Sequence, residues 1–218
     1  MQLERYVGFL IALIFVVIMG LTYLLSAMNI DKQVFSHSHF GLNILSNMDE
    51  KTFTGKFMLE DHEGHYVTSA SMGKKLKFVY FGFTHCSEVC PLTLKLMADA
   101  YNVLPVEYQS MVVPVFISID PFRDSPSDAQ NYAQVFHQKF KGLSGSEGQI
   151  KTVAEQYRVF AQKVNETYVD DKLLDYQVNH TSFVYIVGYD DIIMDAFTAQ
   201  SKPIEISEKI MKIIDEYK

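Results

Sequence analysis

The chain has 218 residues, a formal net charge of -7, and 48% hydrophobic and 13% aromatic residues. That length holds one folded domain and a short additional segment. The acidic balance argues against nucleic-acid binding, which needs clustered Lys and Arg to neutralise phosphates, and suits basic partners better.

Residues 7–27 read VGFLIALIFVVIMGLTYLLSA without a charge. At ~1.5 Å rise per residue such a stretch spans the ~30 Å hydrocarbon core of a bilayer. Residues 1–28 are therefore expected to form an N-terminal transmembrane anchor. The apolar run is longer than that of a cleaved signal peptide and lacks its small-residue cleavage site. Arg5 before it is balanced by Lys32 after it, so the positive-inside rule gives no orientation. Residues 29–56 follow as a juxtamembrane linker, and residues 57–218 as the domain. The linker contains His37 and His39, a His-x-His pair open to Cu(II) but read as solvated linker histidines. Four of the ten methionines fall in the anchor or linker, and most are read as membrane or core filler.

Within the domain, residues 57–59 and 66–67 suit a small hairpin turning at Gly64. Residues 76–83 (LKFVYFGF) form a continuous apolar run, as expected of a strand buried on both faces. Pro91 opens a helix that stops near Pro105. Residues 112–119 (VVPVFISI) predict a second buried strand, followed by a helix over 127–139 with Ser127 as N-cap. A further helix is predicted over 149–164. Strands over 183–187 and 192–197 are joined closely enough to be antiparallel. The last helix aligns Ile206, Ile210, Ile213, Ile214 and Tyr217 on one face. The whole predicts an α/β fold with a mixed sheet flanked by helices.

The only two cysteines stand as Cys86-Ser-Glu-Val-Cys90, between the first buried strand and the Pro91 helix. A loop at the C-terminal end of a strand is where open α/β sheets bind ligands, and a helix N-terminus favours thiolate over thiol. The spacing allows a disulfide or a shared metal ion, and soft thiolates select Cu(I) or Zn(II). A plain structural disulfide is the bland alternative, but such bridges gain more by closing longer loops. Two cysteines alone do not choose between metal and redox chemistry.

A third ligand must come from elsewhere in the chain. His180 immediately precedes the strand at 183–187, and if that strand runs antiparallel to 76–83 its start lies beside the cysteines. A neutral imidazole with two thiolates makes a three-coordinate site suited to Cu(I). Asp120, at the end of the second buried strand, either orients His180 or shapes the turn with Pro121, Arg123 and Asp124. His85 reads as a solvated neighbour that lowers the thiol pKa rather than as a ligand. His62, His65 and His137 show no convergent partner.

The segments FMLEDHEGHYV (57–67), FGFTHCSEVCPLTL (81–94), PVFISIDPFRDSP (114–126) and YQVNHTSFVYIV (176–187) together resemble the Sco/SenC family of copper chaperones for cytochrome c oxidase. The resemblance implies a thioredoxin-like (peroxiredoxin-like) fold, with Cys86, Cys90 and His180 as copper ligands for Cu(I) and also Cu(II). It implies transfer of copper to an acceptor, the binuclear centre of cytochrome c oxidase subunit II, by a domain facing away from the cytoplasm. Without an Arg-rich, Ser-rich transit peptide before the anchor, a bacterial inner membrane with a periplasmic domain is expected rather than a mitochondrion. Ser87 and Glu88 stand where the family often has Pro and Asp, which bears on affinity and redox potential.

Three other roles fit the residues less well. A thiol-disulfide reductase usually has two residues between its cysteines and a cis-proline before the facing strand, where this chain reads Val-Asn-His-Thr-Ser. Turnover as an enzyme is therefore not expected, although Cys86 and Cys90 would be the catalytic pair if it occurs. A peroxidase would draw on Thr84 and Arg123, but paired cysteines suit it poorly. A redox sensor without turnover stays open.

Overall fold

The computed structural model describes residues 19–20, 54–169 and 172–217. The predicted anchor, His37 and His39 lie outside these, apart from Met19 and Gly20, which are helical. No helix among the described residues is long and apolar enough to cross a membrane. The chain divides into two compact units, Met1–Ser46 and Asn47–Lys218, and the fold below is that of the second.

A hairpin opens it, β1 (Met58–Glu60) paired antiparallel with β2 (Tyr66–Thr68). Gly64 supplies the positive φ of 79° that its turn requires. The central strand β3 (Leu76–Gly82) is buried along its whole length, which its unbroken apolar run demands. It pairs parallel with β4 (Val112–Ser118) and antiparallel with β8 (Val184–Val187). With β5 (Lys141–Leu143) beyond β4 and β9 (Ile193–Phe197) beyond β8, the five-stranded order is β5-β4-β3-β8-β9. The predicted mixed sheet is thus present.

Helix α1 (Val89–Val103) follows β3, and a short α2 (Val106–Gln109) leads into β4. Pro91 is the third residue of α1 rather than the first, which costs nothing because the first four helical N–H groups have no intrahelical acceptor. Helix α3 (Pro126–Phe136) begins earlier than predicted. Its N-cap is Ser125, not Ser127, because Ser125 and Asp128 form a capping box and Pro126 fills the first helical position. The closing helix α5 is Pro203–Glu216, with α4 (Glu147–Gln156) before it. α5 buries Ile206, Ile210, Ile213 and Ile214 and packs on α1. Each of those isoleucines is worth about 2–5 kcal/mol against alanine.

The main departure lies after α4. The helix predicted to Val164 ends at Gln156, and Arg158 turns the chain at a positive φ of 52°. Residues that continue a helical spacing then enter β6 (Ala161–Val169), which pairs antiparallel with β7 (Lys172–His180). Val164, Thr167 and Val169 favour a strand once a partner is present, and cross-strand pairing overrides the local pattern. This hairpin is a sheet of its own.

A candidate metal and thiol site at the sheet edge

β3 and β4 are parallel, so their C-terminal ends share one edge, and antiparallel β8 brings its beginning to that edge. The chain leaves β3 at Gly82, passes through Phe83, Thr84 and His85, and reaches Cys86 before α1 begins. Cys90 is the second residue of α1 and fully buried, while Cys86 is partly exposed. Both are free thiols. The Cys90 N–H donates to Cys86 Sγ at 3.4 Å, so the first turn of the helix folds the loop back onto the first sulfur.

Their surroundings make the two sulfurs unequal. The Cys90 thiol holds the Cys86 pKa down to about 5, against burial and with help from the amides of Cys90, Glu88 and Val89. Cys90 moves in the opposite direction, raised by its bond to Cys86 and by burial. The Tyr80 hydroxyl donates to Cys90 Sγ at 3.4 Å from beneath. Cys86 is the thiolate and Cys90 its protonated neighbour.

His180 closes the edge from the end of β7. Its Nε2 lies 3.6 Å from Cys90 Sγ, and its ring meets Phe83 and Tyr80 edge-on at 5.9 and 6.3 Å. Nδ1 sits 2.9 Å from the Thr181 carbonyl. A carbonyl only accepts, so Nδ1 carries the proton and Nε2 presents its lone pair to the sulfurs. Burial lowers the His180 pKa, against the Thr181 carbonyl and Cys86, which favours the neutral ring a metal needs. The three predicted ligands therefore stand together. They form a more open set than Asp61, Glu63 and His65 on the β1–β2 turn, the three whose ligand atoms, among the described residues, all lie within 4.8 Å of one another. His65 thus has partners that the sequence reading missed.

The remaining candidates have other duties. Asp120 does not orient His180 directly: it is buried between Arg123, whose Nε donates to it at 2.6 Å, and the Tyr176 hydroxyl. His85 lies 3.1 Å from Thr84 Oγ1 and 3.5 Å from an Asp124 carboxylate oxygen, half exposed. His137 meets the Tyr101 ring edge-on at 5.1 Å, and burial lowers its pKa. Asp124 carries more than its turn position implied. Its carboxylate accepts from the Thr84 amide at 2.8 Å, the Thr84 hydroxyl at 2.5 Å and Ser118 Oγ at 2.6 Å, anchoring the cysteine loop to the end of β4. Tyr80, Tyr176 and Asp124 are the site residues missed from sequence; only Asp124, four after Asp120 in the same turn, left a signal there.

The chain matches the SCO1/SenC family over residues 46–215. An SCO2-like protein of Rickettsia felis is 37% identical over 160 residues, covering 73% of this chain and 76% of that protein. Among solved structures, Arabidopsis thaliana ScoI with copper bound is 32% identical with a TM-score of 0.65, covering 76% of this chain and 99% of that one. BsSco, described as a member of the Sco family of cytochrome c oxidase assembly proteins, shares the fold at 20% identity and a TM-score of 0.56, covering 78% of this chain and 96% of that one.

Proposed function

Because this chain belongs to the SCO1/SenC family, we propose that it is a copper metallochaperone that binds one copper through Cys86, Cys90 and His180. The reading rests on one observation above all: an imidazole lone pair and two sulfurs of opposite protonation tendency meet at one sheet edge. Two thiolates and a neutral imidazole are the donor set that soft Cu(I) prefers, and the imidazole adds affinity for Cu(II). The copper-bound Arabidopsis relative supports the cargo, and the description of BsSco supports a place in cytochrome c oxidase assembly. Binding displaces the Cys90 proton, and thiolates of an acceptor then replace the ligands one at a time. The acceptor in this reading is the binuclear copper site of cytochrome c oxidase subunit II. A membrane helix at 1–28 and a linker at 29–56 tether the domain of 57–218 to a bacterial inner membrane, facing the periplasm.

Anaerobic titration of the reduced protein with Cu(I) against a chromophoric chelator tests the ligand set. One equivalent of Cu(I) is expected to bind, with binding lost in Cys86→Ser and Cys90→Ser, while a parallel titration with Cu(II) is expected to weaken by about tenfold or more in His180→Ala. Unchanged Cu(II) affinity in His180→Ala would remove the imidazole from the set.

The asymmetry of the thiols favours a second activity at the same site. The Cys86 thiolate attacks an acceptor disulfide, forming a mixed disulfide and releasing one acceptor thiolate. Cys90 then loses its proton and attacks Cys86, freeing the second acceptor thiol and leaving a Cys86–Cys90 disulfide. Reduction of an acceptor disulfide by the copper-free dithiol, lost in Cys86→Ser, measures it.

A further inference from the structure

His180 is delivered to the cysteines by a hairpin that shares no strand pairing with the five-stranded sheet. The β3–β8 ladder brings the end of β7 to this edge, but no strand pairing with that sheet holds β7 itself in place. Four residues before His180 on the same strand, Tyr176 is buried and its hydroxyl donates to Asp120 Oδ1. Asp120 follows β4 closely, at the edge that carries the cysteine loop. Its second oxygen accepts from Arg123 Nε at 2.6 Å. Arg123 reaches back to the hairpin, donating from Nη1 to the Tyr176 carbonyl at 2.9 Å and to Asp175 at 3.1 Å. Its guanidinium lies 3.7 Å from the centre of the Tyr176 ring and 5.8 Å from that of Phe83, the ring that meets His180 edge-on.

This arrangement is an expensive way to gain stability. A buried ion pair returns little net free energy over an apolar substitute. Arg123 Nη2 is also buried and has no hydrogen-bond partner among the described residues, a further cost of about 1–3 kcal/mol. What the three groups provide is a defined position for β7, through short directional bonds that join it to the end of β4.

We propose that Asp120, Arg123 and Tyr176 are positioning residues forming a clamp that holds the His180 strand over the sulfurs, so that the clamp governs the imidazole's share in the copper site. The proposal rests on the ligand set advanced above. Two thiolates suffice to hold Cu(I), whereas Cu(II) needs the nitrogen donor as well. Loosening the clamp therefore weakens Cu(II) binding selectively.

The test compares full-length wild type, Tyr176→Phe, Asp120→Asn and His180→Ala, each loaded with Cu(II) and separately with Cu(I). Tyr176→Phe and Asp120→Asn are expected to lose imidazole nitrogen hyperfine coupling from the Cu(II) resonance and about tenfold or more in Cu(II) affinity, with Cu(I) affinity changed by less than about threefold. A drop in melting temperature alone does not alter nitrogen coupling, so the signal separates positioning from general stabilisation. Wild-type coupling and affinity in whichever clamp variant folds, with both lost in His180→Ala, would overturn the clamp and leave the ligand set standing. Wild-type coupling in His180→Ala would instead defeat the ligand set, and the clamp with it.

Discussion

The Nε2 of His180 stands 3.6 Å from Cys90 Sγ across ninety positions of chain. No local sequence preference brings them together. The pairing depends on β8 running antiparallel to β3, which starts one strand where the other ends, and on the Thr181 carbonyl fixing the proton on the far ring nitrogen. Topology delivers the imidazole and one hydrogen bond aims it.

The unequal sulfurs give a pH prediction. Cys86 is held at about 5, well below an ordinary thiol, so its reactive thiolate persists as pH falls and disappears only through about pH 5. Cys90 is shifted upward and is buried. Iodoacetamide should therefore modify Cys86 almost as fast at pH 6.5 as at pH 8, with Cys90 untouched in the native protein. Mass mapping of the modified peptides against pH checks this. A rate that climbs steadily from pH 7 to 9, as for a free thiol, would contradict the assignment.

Much of this fold is legible in the sequence because its signals are local and long. The runs at β3 and β4 are buried on both faces, and α5 repeats isoleucine at helical spacing. The cysteine loop was readable from its position between such elements. The β6–β7 hairpin was not. Its residues 161–169, AQKVNETYV, are mixed in polarity, carry on from a genuine helix, and become a strand only when β7 lies alongside. The clamp was hidden for the same reason. Tyr176 meets Asp120 only after that hairpin has folded, and the apolar run that holds Tyr80 carries no sign that its hydroxyl meets Cys90.

Gly82 marks a second consequence of close packing. It ends β3, and a Cβ there would lie 2.9 Å from Cys90 Sγ and 3.0 Å from Phe116 Cε2 and Tyr80 Cε1. All three neighbours are themselves buried, so the sulfur has little room to withdraw. Gly82→Ala should cost about 1–3 kcal/mol through overpacking and displace Cys90 from its partners. Copper affinity is expected to drop by about tenfold or more, as for loss of a supporting group, while alkylation of Cys86 persists. Calorimetric melting with chelator competition tests both parts, and wild-type affinity would mean that the site tolerates the methyl group.

Lys77 tests the opposite end of the same strand. Its side chain is fully buried, with Nζ 2.7 Å from Asp191 Oδ1 and 2.9 Å from the Gly188 carbonyl. Asp191 also accepts from Ser69 Oγ at 2.9 Å, and its carbonyl accepts from the Gly55 amide at 2.7 Å, so the pair ties β3 to the β8–β9 turn and to the start of the domain. Replacing one partner strands the other charge in the interior, which costs about 3–5 kcal/mol, whereas replacing both with apolar groups is often close to neutral. Lys77→Met should therefore lower urea stability by about that amount, and Lys77→Met with Asp191→Ala should recover part of the loss. Copper binding by the folded fraction should be unaffected, because the pair lies at the start of β3 and the cysteines follow its end. A single variant within about 1 kcal/mol of wild type would show that the pair is solvated enough to be dispensable.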